Sequence, residues 1–161
     1  MAIDMFLKLD NLTGESQDAT YKDAIQLLAW SWGMTQTGTM HMGTGGGAGK
    51  VNIQDVSITK YIDSATHALI DACCNGKHFD QATIIVRKAG EKPLEYLKIT
   101  LKQVLVSSIS TGGSGGEERL TENIALNFAQ FKTEYFPQNA KGSSGGGPKT
   151  AEYNIAKNAK S

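Results

Sequence analysis

LKITLKQVLV, residues 97–106, places Leu97, Ile99 and Leu101 on one side of an extended chain and Lys98, Thr100 and Lys102 on the other. That period of two is the signature of a strand with one buried face. Leu105 continues the first face past Gln103, while the second turns apolar at Val104 and Val106. ENIALNFAQF, residues 122–131, follows the same rule: Ile124, Leu126 and Phe128 oppose Asn123, Ala125, Asn127 and Ala129. At the N-terminus, Ile3, Met5, Leu7 and Leu9 alternate with Asp4, Phe6 and Lys8. Further strands are expected in AIQLLAWSW, VNIQDVSITKYI, QATIIVRKA and, near the end, AEYNIAK, where Tyr153 and Ile155 would add an edge strand. Between Ile53 and Val56 the apolar phase switches, which predicts a bulge or bend.

One segment departs from this period. In DSATHALIDACCNG, residues 63–76, Ala65, Ala68, Leu69, Ala72 and Cys73 recur at the spacing of an amphipathic helix. Asp63 or Ser64 would cap its start and Gly76 would end it. So many short strands with one short helix predict a mostly β fold, a compact antiparallel β-barrel or sandwich.

The chain has 161 residues, 40% of them apolar, which suits one domain over 1–161 with a real core. Sixteen basic residues balance sixteen acidic ones. Such a surface offers no electrostatic footprint for nucleic acid or an anionic membrane, so neither is expected as a partner. No stretch approaches the ~20 apolar residues of a membrane span. Asp4 and Lys8 interrupt the N-terminal apolar pattern, so no signal peptide is expected. Synthesis in the cytoplasm follows, with any export left to a dedicated machine. Cys73 and Cys74 are adjacent, too close to staple distant parts of a fold, and a reduced pair is expected.

Glycine gathers in three loops: Gly43 to Gly49, Gly112 to Gly116, and a flexible stretch at about 142–148. From about Met34 to Lys50 no strand pattern is visible, and loops of this length are usually functional or mobile. GTGGGAGK, residues 43–50, imitates a phosphate-binding loop but fails its pattern. Thr44 stands where the first glycine belongs, and Val51 replaces the metal-holding hydroxyl. A strand follows where a helix N-terminus would have to face the phosphates.

Other constellations are equally thin. His67, Asp71 and Cys74 share a helix face, with His78 nearby, but the spacing matches no zinc pattern. Glu117 and Glu118 abut Arg119 at a glycine-rich turn and read as a solvated turn rather than an acid/base pair. No nucleophile elbow is present, so neither catalysis nor a cofactor or metal is expected. Leu28, Trp30 and Trp32 share one strand face and read as core; Leu27, Ala29 and Ser31 form a smaller face. Small uncharged strand faces, here and at 121–129, suit close contact with another protein or the wall of a water-filled channel.

These segments, taken in order, resemble a known family. AIDMFLKLDNLTGES, LAWSWGM, MHMGTGGGAGK, VNIQDVSITKYID, GKHFDQATIIVRKAG, EYLKITLKQVLVSSISTGGSGG and ERLTENIALNFAQFKTEYFP are similar to the haemolysin-coregulated proteins (Hcp) of the bacterial type VI secretion system. The likeness runs from about residue 2 to 137. It implies a tail-tube-like barrel flanked by a helix, six of which form a head-to-tail ring. Rings would stack into a tube inside a contractile sheath, capped by a VgrG-type spike and expelled with effector proteins held in the lumen. By position, the helix at 64–75 would lie on the outer wall, while Ser31 and Ala29 would face the lumen and touch effectors. The loop carrying Gly38, His41, Gly43, Gly45, Gly46, Gly47, Gly49 and Lys50 would be an extended hairpin that reaches a neighbouring subunit or ring. The chain leaves no room after Pro137 for an appended toxin domain, so a plain structural subunit is expected. Two rivals remain at this stage: a barrel holding a small ligand, and a hydrolase using Glu117 or the histidines.

Overall fold

A computed structural model describes residues 2–43, 46–90, 92–138 and 145–160. Ten strands and one helix follow in the order β1 (Ile3–Leu9), β2 (Ile25–Gln26), β3 (Ala29–Ser31), β4 (Met34–Gly38), β5 (Ala48–Ile53), β6 (Val56–Tyr61), α1 (Thr66–Asn75), β7 (His78–Lys88), β8 (Leu94–Thr111), β9 (Thr121–Tyr135) and β10 (Lys149–Asn154). Eight strands make one antiparallel sheet in the order β2-β1-β7-β8-β9-β6-β3, with β10 added to β9. The sheet is strongly curled and forms a half-barrel. β2 and β3, at the two ends of that order, are consecutive in the chain. Leu27 N donates to Met5 O of β1, and Leu28 N donates to Thr59 O of β6, so one short segment joins both ends.

The core is the inward face of this sheet. Leu7, Leu9, Ile25, Ile58, Ile84, Ile99, Leu101, Val104, Ile124 and Leu126 are buried there. The alternation seen in the sequence produces that face, with one shift of phase. The β8–β9 ladder passes from Lys102↔Gln130 to Val104↔Phe128, and Gln103 between them takes φ 55°. Across this rung the buried positions change parity on both strands, from Ile99 and Leu101 to Val104 and Val106, and from Phe128 to Phe131. Leu105 therefore does not share the face of Leu101, contrary to the sequence expectation. A left-handed residue turns the strand where strict alternation assumed none.

Helix α1 lies against β8 and closes the core with Leu69 and Ala72. Burying a leucine of this kind contributes about 1.5–3 kcal/mol. The helix ends where expected, at Gly76 with φ 71°, whose N–H donates to Ala72 O at 3.0 Å. Its start differs: Ala65 occupies the cap position, and Asp63 instead accepts from the Ala65 N–H at 2.9 Å.

Residues 34–50, where alternation showed no strand, pair β4 and β5 into a separate two-stranded ribbon, in line with the hairpin that the resemblance implied. Every described side chain of β4 is exposed, so no apolar alternation marked the strand. AIQLLAWSW, against expectation, is not one strand. Leu27 is buried and Leu28 is 39% exposed, which reverses the expected faces at the step from β2 to β3. The predicted bend between Ile53 and Val56 separates β5 from β6, which belong to different sheets. β10 adds to β9 antiparallel, with Tyr153 opposite Phe131. Of the glycine-rich stretch at 142–148, residues 142–144 lie outside the described residues.

Candidate contact surfaces

The solvent side of β3, β6, β9 and β8 carries small uncharged residues in register. One rung runs Ser31↔Ser57↔Ala125↔Ser108. The next runs Ala29↔Thr59↔Asn123↔Ser110. Thr59 Oγ1 donates to Asn123 Oδ1 at 2.7 Å, tying two strands across this face. Behind it stand Val56, Ile58, Ile124, Leu126 and Val106, all buried, so the wall is rigid from within. Ser31 and Ala29 are both exposed at its edge, as their phase in the sequence required.

Asp55 is the charged group that leans on this wall. Its carboxylate accepts from Ser107 Oγ at 2.6 Å and from Asn127 Nδ2 at 2.8 Å. Ser57, Thr59, Ser108, Ser110 and Asp55 escaped the sequence reading of the site. For Ser57 and Thr59 the signal was present in VSITK, where they alternate with Val56, Ile58 and Lys60. For Ser108 it was hidden by a shift of register between Val106 and Ser108.

Trp30 and Trp32 pack on the core side, as expected of an aromatic pair at this spacing. Trp32 meets Phe131 edge-on at 4.8 Å between centroids, and its indole N–H donates to Gln54 O at 2.9 Å. The two tryptophans thus brace β3, the strand that presents Ser31.

The second surface is the β4–β5 ribbon. Thr39 closes its end: the Thr39 N–H donates to Gly47 O at 3.2 Å, and the Gly47 N–H donates to Thr39 Oγ1 at 2.9 Å. Beyond this clasp, Met42 N donates to Thr39 O at 3.0 Å, turning the chain through Met40 and His41. Gly43 takes φ 79°, where a side chain would be strained. A Cβ on Gly46 would stand 2.5 Å from Thr39 O, so only glycine fits the return path. Gly38, His41, Gly49 and Lys50 are exposed along the ribbon, and Gly46 and Gly47 are partly covered. Gly45 lies outside the described residues. The element after the glycine cluster is strand β5, so no helix N-terminus faces the loop.

The thinner constellations stay apart. His67, Asp71 and Cys74 are exposed on α1, and His78 opens β7. Among the described residues no three His, Cys, Asp or Glu side chains are grouped as a metal site. Glu117 and Glu118 are exposed, while the Arg119 guanidinium lies 3.9 Å over the Tyr61 ring.

On the opposite flank, the segment between β1 and β2 crosses the outer face of β1 and β7. Phe6 stacks on Tyr21 at 5.0 Å, beside Ala24 and Ile85. Arg87 lies over both rings and pairs with Asp18 and Asp4. The Arg87 guanidinium holds the Asp18 carboxyl below the usual carboxylate range, outweighing the opposing effect of desolvation.

Comparison with known proteins places this geometry. Residues 6–135 match the family described as "Type VI secretion system effector, Hcp". The chain is 59% identical over 159 residues to protein hcp1 of Pseudomonas aeruginosa, covering 98% of each. A solved type six secretion system protein superimposes with a TM-score of 0.93 at 30% identity, covering 99% of this chain and 100% of that one. Hcp1 from Salmonella typhimurium gives 0.82 at 39% identity, covering 99% of each.

Proposed function

The chain belongs to the Hcp family of the type VI secretion system, and on that premise we propose that it is a tube subunit. Six copies close head-to-tail into a ring, and rings stack into a tube that carries effector proteins in its lumen. A heterologous contact that closes by rotation leaves the ring axis open, so one subunit supplies both ring and tube.

The observation that carries this reading is the pair of in-register rungs from Ser31 to Ser108 and from Ala29 to Ser110. Four strands of small uncharged side chains over a packed core make a smooth polar wall. Such a surface stays wet and lets varied cargo lie close without demanding one charge pattern. The β4–β5 ribbon, free of the main sheet, supplies the arm that reaches a neighbouring copy. The helix faces outward, toward a contractile sheath, and a VgrG-type spike caps the stack. In this reading residues 1–161 act as one structural domain that performs no catalysis. It assembles in the cytoplasm and leaves by the secretion machine.

A ligand-holding barrel fits less well, because the curled sheet is filled by its own side chains from Leu7 to Phe131. The deciding experiment is solution mass by light scattering, followed by negative-stain imaging. A mass near six times 17.3 kDa, with annular particles, supports the ring. A monomer that persists at high concentration rejects it.

A further inference from the structure

Three sulfur- and nitrogen-bearing residues stand in a row at the far end of the ribbon, and the tube reading makes no use of their chemistry. We infer that Met40, His41 and Met42 form a site for a soft monovalent cation, copper(I) or silver(I). The two thioether sulfurs and the His41 imidazole are its ligands.

Methionine is normally recruited to fill irregular gaps in cores. Here Met40 is 78% exposed and Met42 69% exposed, so neither sulfur is occupied by packing within its own chain. His41 between them is exposed as well. The turn from Thr39 to Met42 is fixed at its base by the Thr39–Gly47 clasp. Above that base Met42 is followed directly by Gly43, at φ 79°. A tip of this kind lets three neighbouring side chains fold onto one ion, while the ribbon below keeps its shape.

The donor set selects the ion. From Met34 to Lys50 there is no Asp or Glu, and Lys50 is the sole Lys or Arg. Calcium and magnesium sites are built around carboxylate oxygens, and this segment has no Asp or Glu. Zinc sites use thiolate, imidazole or carboxylate, and a pair of thioethers offers none of the anionic ones. Thioether sulfur favours soft d10 cations, and imidazole adds a compatible nitrogen. Cys73 and Cys74 could also take such an ion, but they lie on α1, a separate element with its own stoichiometry.

The test uses the full chain labelled with 13C at the methionine methyls, titrated with silver nitrate in chloride-free buffer and followed by NMR. The Met40 and Met42 methyl signals should shift together and saturate with one equivalent beyond that taken by the thiols. Those of Met5 and Met34 should stay in place. Repeating the titration on Cys73→Ala/Cys74→Ser isolates the single equivalent. Met40→Leu/Met42→Leu keeps the apolar bulk and removes the sulfurs, so it should weaken silver binding at least tenfold while the particle mass is unchanged. The site is refuted if the Met40 and Met42 signals do not move, if all methionines move alike, or if the leucine variant takes up silver as tightly. A change in particle mass alone would bear on the ring, not on this site.

Discussion

The Lys60 ammonium lies 2.5 Å from the Glu122 carboxylate, and both side chains are shut off from solvent. Lys60 also reaches Asp63 Oδ1 and Tyr61 O at 2.9 Å, and the Thr66 hydroxyl donates to Glu122 at 2.8 Å. This cluster joins β6, β9 and the start of α1, on the inner side of the rung next to the one that presents Thr59 and Asn123 outward. Removing one member leaves a buried charge without its partner, at a cost of about 3–5 kcal/mol. Lys60→Met should therefore lower the urea midpoint sharply. Lys60→Met/Glu122→Leu should recover most of that loss, since an apolar pair needs no counter-charge. An equal loss in both variants would show that the ions themselves are required.

Asp18 predicts a dependence on pH. Its carboxyl is held low by Arg87, so folding favours the ionised form. The gain is complete above the ordinary carboxylate range and fades as the pH falls through the lowered folded value. Asp18→Asn should cost up to about 1 kcal/mol at neutral pH, the range of a partly exposed pair. The gap from the parent chain should close on acidification. Urea titrations at a series of pH values would read this, and a gap independent of pH would place the effect elsewhere.

Ser31→Gln tests the wall. Ser31 is exposed and its neighbour across the ladder is Ser57, so a longer side chain projects outward without entering the core. Thermal stability and ring mass should be preserved, while co-purification of effector with the ring should fall several-fold. Undiminished retention would mean that Ser31 does not line the cargo channel.

The ribbon gives the complementary result. Deleting Gly43 to Gly47 removes the return path to Thr39 and should shorten the arm without touching the half-barrel. Near-native circular dichroism with loss of stacked or annular particles is expected in electron micrographs. Intact assembly would show that the arm makes no essential contact.

The sequence revealed most of the barrel because each long strand has one face facing oil and one facing water. Period-two alternation at 97–102 and 122–128 reports that asymmetry directly. It fell silent in two places for physical reasons. β4 has water on both faces, so its pairing left no trace in residue type. Gln103 is a non-glycine residue with φ 55°, and nothing in its chemistry announces a left-handed turn. For the wall, Ser31 and Ala29 were legible from their phase beside two tryptophans. The rungs that join them to Ser108 and Ser110 depend on strand order, which alternation does not encode. Asp55 lies in the turn between β5 and β6, and its meeting with Ser107 and Asn127 is tertiary.

The shift of parity at Gln103 and Ala129 has an arithmetic consequence for how this fold tolerates change in length. Losing Gln103 alone would remove the left-handed residue but leave Ala129 unopposed, so the β8–β9 ladder would have to bulge there or slip by one residue. Losing Ala129 as well would cancel the error, because the partner strand counts through the same rung. Single-residue deletions here should be ruinous one at a time and far milder as a pair, like two frameshifts that restore the reading frame.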